Sequence, residues 1–207
     1  MNQHINALIE AGRFLYQQGW SPATSSNYSH RLENDRALIT VSGKHKGKLA
    51  ESDFLIVNLD GAPLPNEEGV ILKPSAETLL HTQIYKLFPW ANCVLHTHSV
   101  NATVLSQLLY GEDILYLNGY ELQKAFREVK SHLETTVIPI VENDQDIDDL
   151  AATVQPILEE HPKAPAYLIR GHGLYTWGET VDEALKHVEA LEFLFQCEYK
   201  MKDLRTP

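Results

Sequence analysis

Cysteine, basic residues and long apolar runs are all scarce in this sequence of 207 residues. Its two cysteines, Cys93 and Cys197, are typical of reduced thiols in a cytoplasm rather than of a disulfide framework. Lys and Arg number 17 against 28 Asp and Glu, and this charge of −11 disfavours nucleic acids and anionic membranes as partners. The start, MNQHINALIEAG, lacks the basic and apolar regions of a signal peptide, and no apolar run is long enough to span a membrane. We therefore expect a cytoplasmic protein.

The sequence also lacks linkers and the common nucleotide-binding motifs. No Pro/Gly/Ser-rich segment, low-complexity run or internal repeat divides the chain, so we expect a single domain over residues 1–207. No G-x-G-x-x-G follows a predicted strand, and G-x-x-x-x-G-K-[ST] is absent. The sequence therefore contains neither of the two motifs that would indicate nucleotide binding.

Predicted strands and helices alternate along the whole chain. The strands are predicted at residues 37–42, 54–59, 93–96, 114–117, 135–141 and 166–170. The helices are predicted at residues 5–16, 75–88, 100–109, 120–126, 147–160 and 181–202. Several neighbouring strands are joined by links of hairpin length. This pattern predicts an α/β fold, a three-layer αβα sandwich with a mixed or antiparallel central sheet.

The segment VLHTHSVNA contains two histidines, His96 and His98, separated by one residue. Residues i and i+2 of a strand point to the same side, so both imidazoles can face one cation. A catalytic zinc site takes three protein ligands and leaves one position open. The candidate for the third ligand is His172, which follows an apolar strand between Gly171 and Gly173, whose small size permits close backbone approach. On the residues alone, a metal site and exposed loop histidines both remain open.

Three stretches place small hydroxyl residues in predicted loops. They are SPATSSNYS (21–29), VSGKHKG (41–47) and KPSAE (73–77). Hydroxyls, exposed N–H groups and a helix N-terminus together make an anion cradle. The clearest basic cluster of this acidic chain, Lys44, Lys46 and Lys48, begins in the second stretch. Each stretch can equally be a polar, solvated turn.

Two glutamates are candidates for proton transfer. Glu77 is predicted in the first helical turn after Pro74, four residues before His81, so a surface pair on one helical face also explains it. Glu121 follows LNGY at the start of a short predicted helix and can equally be an ordinary helix-start acid. These patterns alone do not rank the two glutamates.

Taken in order, these segments resemble the class II aldolase/adducin-type family. The matching series is PATSSNYS, ITVSGK, KPSAE, VLHTHS and RGHGLYTWG, spread over nearly the whole chain. The resemblance implies one zinc ion per subunit, with His96, His98 and His172 as its ligands. It also implies that the phosphate of a substrate lies near Asn27, Ser42, Gly43 and Ser75. The sequence departs from the family at Ser26, where a glycine usually precedes the asparagine.

Within the family, four segments are similar to the branch that dehydrates a methylthio-substituted ketose 1-phosphate in methionine salvage. The segments are HTHS, GYELQKA, VIPIVEN and RGHGLYTWGET. This similarity implies a class II aldolase-like fold and a homotetramer with active sites near subunit interfaces. It implies Glu121 as the catalytic acid/base and Glu77 as a residue of the substrate pocket.

Two other functions are kept as alternatives. The first is a zinc-dependent aldolase or epimerase of the fuculose-phosphate or ribulose-phosphate type, in which Glu77 is the acid/base. The second is a non-catalytic interaction module, since adducin-type members of the family are cytoskeletal. Such members lack the complete histidine set, so the three histidines here favour an enzyme.

Overall fold

The computed structural model describes residues 1–204. Its α-helices are α1 (Asn2–Gln17), α2 (Thr78–Leu87), α3 (Val100–Leu108), α4 (Ile147–Glu160) and α5 (Val181–Asp203). Its strands are β1 (Asn27–Leu32), β2 (Arg36–Thr40), β3 (Phe54–Asn58), β4 (Cys93–Thr97), β5 (Ile114–Leu117), β6 (Thr136–Val141), β7 (Ala166–Ile169) and β8 (Gly173–Gly178). Short 3-10 helices cover Lys46–Lys48, Glu51–Asp53 and Glu121–Ala125.

The strands form one sheet in the order β3-β2-β1-β4-β8-β7-β6-β5 across residues 1–204. Neighbouring strands are antiparallel except β6 and β7, which are parallel. One hydrophobic cluster joins this sheet to α1, α3 and α5 through residues such as Leu8, Leu105 and Leu191. A second cluster joins it to α2 and α4 through Leu80 and Val154. The predicted αβα sandwich with a mixed sheet is confirmed.

Two strands were not predicted, namely β1 and β8. The sequence of β1, NYSHRL, is polar, but its first four residues are buried, and side chains of α2 form hydrogen bonds with Asn27 and Ser29. The sequence of β8, GLYTWG, begins and ends with glycine although all six residues are buried. Neither strand carries the apolar run or the alternation that predicts a strand, although each lies between two other strands of the sheet.

Helix α2 begins three residues later than predicted. Val41 and Pro74 form an isolated antiparallel bridge, and Ser42 N donates to Lys73 O at 3.1 Å. This pairing holds the KPSAE segment beside the end of β2. Glu77 is therefore the residue before α2, with φ −89° and ψ 16°, and does not lie in its first turn.

Strand β4 lies at the centre of the sheet, between β1 and β8. Its residue His96 pairs with Asn27 of β1 on one side and with Tyr175 of β8 on the other. The turn that joins β7 to β8 lies at this same end of β4, since Thr97 pairs with Leu174. This register places polar residues of three strands around one point.

No helix within residues 1–204 is long and apolar enough to cross a membrane. The cytoplasmic location stays a prediction. The single domain over residues 1–207 also stays a prediction, and residues 205–207 lie outside the described part of the chain.

A buried glutamate of α5, Glu192, is hydrogen-bonded to the start of α3 and should make stability depend on pH. Glu192 is 2% exposed, and Asn101 Nδ2 donates to its carboxylate at 3.3 Å. Burial raises the pKa of Glu192 to about 7 from an ordinary 4.5. The carboxyl of Glu192 therefore binds its proton more tightly in the folded state than in the unfolded state. The free energy of unfolding falls as the pH rises from the pKa of the unfolded state to that of the folded state. Between about pH 5 and pH 8, the wild type should lose roughly 2–3 kcal/mol more unfolding free energy than Glu192→Gln.

Urea denaturation of both proteins at the two pH values measures this difference. Glu189→Gln is the control, because Glu189 is exposed on the same helix. Equal pH dependence of the wild type and Glu192→Gln would contradict the prediction.

Candidate metal centre

The three predicted histidines meet at one end of the central strands. His96 lies on β4, His98 follows this strand, and His172 lies in the turn between β7 and β8. One side-chain nitrogen from each ring lies within 4.8 Å of the others. The ring centroids of His98 and His172 are 4.7 Å apart, and those of His96 and His98 are 4.5 Å apart. This cluster can hold one metal ion between its nitrogens.

Hydrogen bonding fixes which nitrogen of the His96 ring is free. His96 Nδ1 lies 2.9 Å from Leu174 O, which can only accept, so Nδ1 carries the proton. His96 Nε2 is then a buried lone pair that receives no hydrogen bond from residues 1–204. Burial lowers the pKa of His96 to about 4 and that of His98 to about 3, so both rings are neutral. Neutral imidazoles with a free lone pair are the form that binds metals.

The glycine that follows His172 is required for this close approach. A Cβ on Gly173 would overlap Thr97 O and lie 3.0 Å from His96 Cε1. Gly171, on the other side of the histidine, has a φ of +65°, a backbone conformation that residues other than glycine rarely adopt. The predicted role of these small residues, close backbone approach, agrees with the observation at Gly173, whereas Gly171 is favoured by its backbone conformation.

The Glu77 carboxylate lies directly against the histidines. Its Oε2 is 3.3 Å from His96 Nε2, and its Oε1 is 3.1 Å from His172 Nε2. Asn27 Nδ2 and the Tyr175 hydroxyl each donate to Oε2 at 2.8 Å. Burial opposes ionisation, but the nearby His96 and hydrogen bonds from His172 and Asn27 hold the pKa of Glu77 well below its usual range. An ionised carboxylate thus faces the point where a cation would bind.

Sequence reasoning missed Tyr175 as a partner of Glu77. Tyr175 lies on β8, and its ring stacks on that of His96 with centroids 4.1 Å apart. Its position could have been inferred only by recognising GLYTWG as a strand paired with VLHTH.

A cavity of about 200 Å³ opens beside the histidines. The four residues predicted to lie near a phosphate all line it: Asn27, Ser42, Gly43 and Ser75. Glu77, His98 and His172 line the same cavity. Ser26 has a φ of +71°, so it keeps the left-handed conformation for which glycine is favoured. Glycine, the residue usual in the family, adopts this conformation at lower cost.

Lys46 also lines the cavity and is its cationic residue. Its side chain is buried, and Nζ donates to Lys44 O at 2.6 Å and to Thr24 O at 3.4 Å. These bonds join two of the three hydroxyl-rich loops. Burial lowers the pKa of Lys46 to about 8. Within residues 1–204, no ion pair includes Lys46, whereas Lys44 pairs with Asp53 at 2.8 Å.

Glu121 lies elsewhere on the chain. It begins the 3-10 helix that follows β5, and its side chain is 69% exposed. Its carboxylate pairs with Lys124 and lies 3.6 Å from His132 Nδ1. The Lys124 ammonium holds the pKa of Glu121 below its ordinary value. Among the described residues, Glu121 is not part of the wall of the cavity beside the histidines.

The model of the class II aldolase and adducin N-terminal domain family matches residues 6–199. The chain belongs to this family. In sequence, this class II aldolase-family chain is 61% identical to the methylthioribulose-1-phosphate dehydratase of Pseudomonas aeruginosa, over 98% of the chain and 96% of that protein. It is 52% identical to the methylthioribulose-1-phosphate dehydratase of Marinobacter nauticus, over 96% of the chain and 94% of that protein.

Among solved structures, the fold of this class II aldolase-family chain is similar to L-fuculose-1-phosphate aldolase from Thermus thermophilus. The TM-score is 0.76 at 25% sequence identity, and the match covers 100% of both chains. The predicted resemblance to the family, made from five short segments, is confirmed.

Proposed function

We propose that the chain dehydrates 5-methylthioribulose 1-phosphate to 2,3-diketo-5-methylthiopentyl 1-phosphate, a step of methionine salvage. The observation that carries this proposal is the 61% identity over 98% of the chain to a protein with that activity in its name. The histidine cluster and the adjoining cavity supply the parts that such a hydro-lyase needs.

We propose zinc as the metal, one ion per subunit, held by His96, His98 and His172. Three nitrogen ligands suit a borderline cation and leave a position for substrate. The unpaired, buried Nε2 of His96 fits this role, because a buried lone pair without a donor is otherwise unfavourable. When bound, the ion supplies positive charge that stabilises negative charge developing next to the substrate ketone.

The hydroxyl-rich loops bind the substrate phosphate. Ser42, Gly43 and Ser75 offer hydroxyl and N–H donors on the cavity wall, and Asn27 links this wall to Glu77. A phosphate held there orients the ketose so that its C2 and C3 oxygens face the histidines. This arrangement provides orientation rather than bond breaking.

Glu121 transfers the proton in this proposal. A carboxylate removes the C3 proton and, now protonated, returns it to the C4 hydroxyl, which leaves as water. The enol that remains becomes the 2,3-diketone by tautomerisation. Glu77 keeps its role as a pocket residue beside the metal.

We further propose that Glu121 acts in the active site of a neighbouring subunit of a homotetramer. Glu121 is exposed and does not line the cavity of its own chain within the described residues. Two nearby apolar side chains are also exposed, Leu122 at 39% and Leu133 at 82%. An apolar surface around an exposed catalytic acid is suited to a subunit contact.

One observation favours the second candidate, a sugar-phosphate aldolase or epimerase. Glu77, the acid/base of that chemistry, lies against the histidine cluster of its own chain. Both candidates develop negative charge on the same ketose oxygens, so the metal does not distinguish them. The group that moves the proton does.

Incubation with 5-methylthioribulose 1-phosphate tests the proposed function. Diketone should form with the zinc-loaded protein and stop when a chelator removes the metal. Parallel incubation with fuculose 1-phosphate tests carbon–carbon cleavage through release of dihydroxyacetone phosphate. Cleavage of that substrate, together with no diketone from the first, would favour the aldolase.

Lys46→Met should weaken the binding of phosphorylated substrate. The ammonium is the buried cation of the cavity, and a hydrogen bond to a charged group contributes about 1.5–3 kcal/mol. KM and the inhibition constant of inorganic phosphate should therefore both rise about 10-fold to 100-fold. Lys48→Met is the matched control, since Lys48 lies exposed on the same 3-10 helix. Equal phosphate inhibition of the two variants would contradict this role of Lys46.

A further inference from the structure

A chain of buried side chains leads from Glu77 into the protein through His81. Asn27 Nδ2 donates to Glu77 at 2.8 Å, and Asn27 Oδ1 bonds to His81 Nε2. On the other side of the ring, His81 Nδ1 lies 2.7 Å from Ser29 Oγ, which lies 2.6 Å from the Tyr85 hydroxyl. His81 is 1% exposed, so the alternative explanation of Glu77 and His81 as a surface pair does not apply. The two residues are connected through Asn27 of β1.

The chemistry of the groups fixes the direction of the hydrogen bonds from Glu77 to Ser29. A carboxylate only accepts, so Asn27 must direct its NH2 group to Glu77 and its carbonyl oxygen to His81. His81 must then carry its proton on Nε2, and Nδ1 must accept from the Ser29 hydroxyl. Burial lowers the pKa of His81 to about 3, so the ring is neutral and has one N–H.

The polarity of Asn27 therefore depends on His81. If the Nε2–H were absent, the Asn27 carbonyl oxygen would lose its donor, and the amide that donates to Glu77 would be held less firmly. The position of Glu77 Oε2 would then depend mainly on the hydrogen bond from Tyr175. The carboxylate would be less fixed at the point where it faces His96 and His172.

We infer that His81 is a positioning residue that holds the Glu77 carboxylate against the metal centre through the amide of Asn27. This inference rests on the proposed function for the presence of zinc at the three histidines. His81 does not line the substrate cavity in the described residues, and its hydrogen bonds go to Asn27 and Ser29, so these bonds reach Glu77 through Asn27. The ring also packs edge-on against Tyr175, with centroids 5.5 Å apart. Groups that orient the surroundings of a metal typically change metal affinity about 10-fold to 100-fold.

His81→Gln and His81→Asn separate the two ring nitrogens. The amide of glutamine occupies the place of Nε2 and can still donate to Asn27, whereas that of asparagine occupies the place of Nδ1 and reaches only Ser29. We expect His81→Asn to weaken zinc binding about 10-fold and His81→Gln to bind zinc nearly as the wild type does. Competition with a chromophoric chelator measures the dissociation constant. The double variant of Asn27→Ala with His81→Asn should bind no more weakly than Asn27→Ala alone.

Gln83→Leu is the control for burial on α2, because Gln83 Nε2 donates to Ala151 O at 2.7 Å, outside this chain of bonds. Equal losses in His81→Gln and His81→Asn, or losses that multiply with Asn27→Ala, would overturn the inference. The ¹⁵N shifts of the His81 ring test it without metal or substrate, since a proton on Nδ1 would also overturn it. Failure of the wild type to dehydrate the substrate refutes the proposed function and leaves the zinc affinities and the ring shifts to decide on His81.

Discussion

Replacing His96 by alanine should abolish the proposed zinc binding and lower the dehydration rate by about a thousand-fold or more. The Lewis-acid stabilisation of a developing charge contributes several kcal/mol, and each 1.36 kcal/mol is about a factor of ten in rate. His96 presents the most deeply buried of the three nitrogens, and its free Nε2 has no other role among the described residues. Elemental analysis of the purified protein and initial rates with added zinc measure both effects.

His172→Ala separates loss of metal from loss of folding. His96 is fully buried, so its truncation also leaves a space in the core, whereas the His172 side chain is 18% exposed. Both variants should lose zinc. His161→Ala, which changes a histidine at the end of α4, should keep it. If the wild type bound no zinc, and neither variant differed from it in zinc content or dehydration rate, a non-catalytic interaction module would be favoured instead.

The outer elements of the fold could be predicted from the sequence because each has one clear environment. Helix α4 was predicted at residues 147–160 and forms at those residues, since its apolar side chains recur on one face and Asp146 caps its start. Strand β1 could not be predicted in this way. Its polar residues Asn27 and Ser29 are buried because α2 supplies their hydrogen-bond partners, and such pairing between distant segments leaves no local pattern.

The site was predictable only in part for the same reason. His96, His98 and His172 could be grouped because they follow apolar strands, and glycines flank the third. The contact of Glu77 with Asn27 and Tyr175 depends on the register of β1, β4 and β8, which is set by the whole sheet. The burial of Lys46 likewise depends on the packing of two loops against each other. The sequence around Lys46 therefore indicates only a basic cluster.

Replacing Glu121 by glutamine should lower the rate of dehydration of 5-methylthioribulose 1-phosphate by about 100-fold to 10,000-fold, the range for loss of a general acid or base. Glutamine keeps the size of the side chain but cannot accept the C3 proton. Zinc content should be unchanged, because Glu121 pairs with Lys124 and His132 rather than with the histidine cluster. Full dehydratase activity with normal zinc content would refute the role of Glu121 and leave Glu77 as the candidate for proton transfer.

Mixed oligomers can reveal in which subunit Glu121 acts. If an active site combines the histidines of one subunit with Glu121 of its neighbour, the two variants affect different parts of that site. Glu121→Gln removes the acid/base, and His96→Ala removes a metal ligand. Random association of the two inactive variants then rebuilds intact sites in about a quarter of positions, by counting the four equally frequent pairings. Co-expression with two different affinity tags, followed by tandem purification, yields such mixtures for rate measurements. If histidines and Glu121 of the same chain formed each site, every site in the mixture would carry one defect and activity would stay at the level of the single variants.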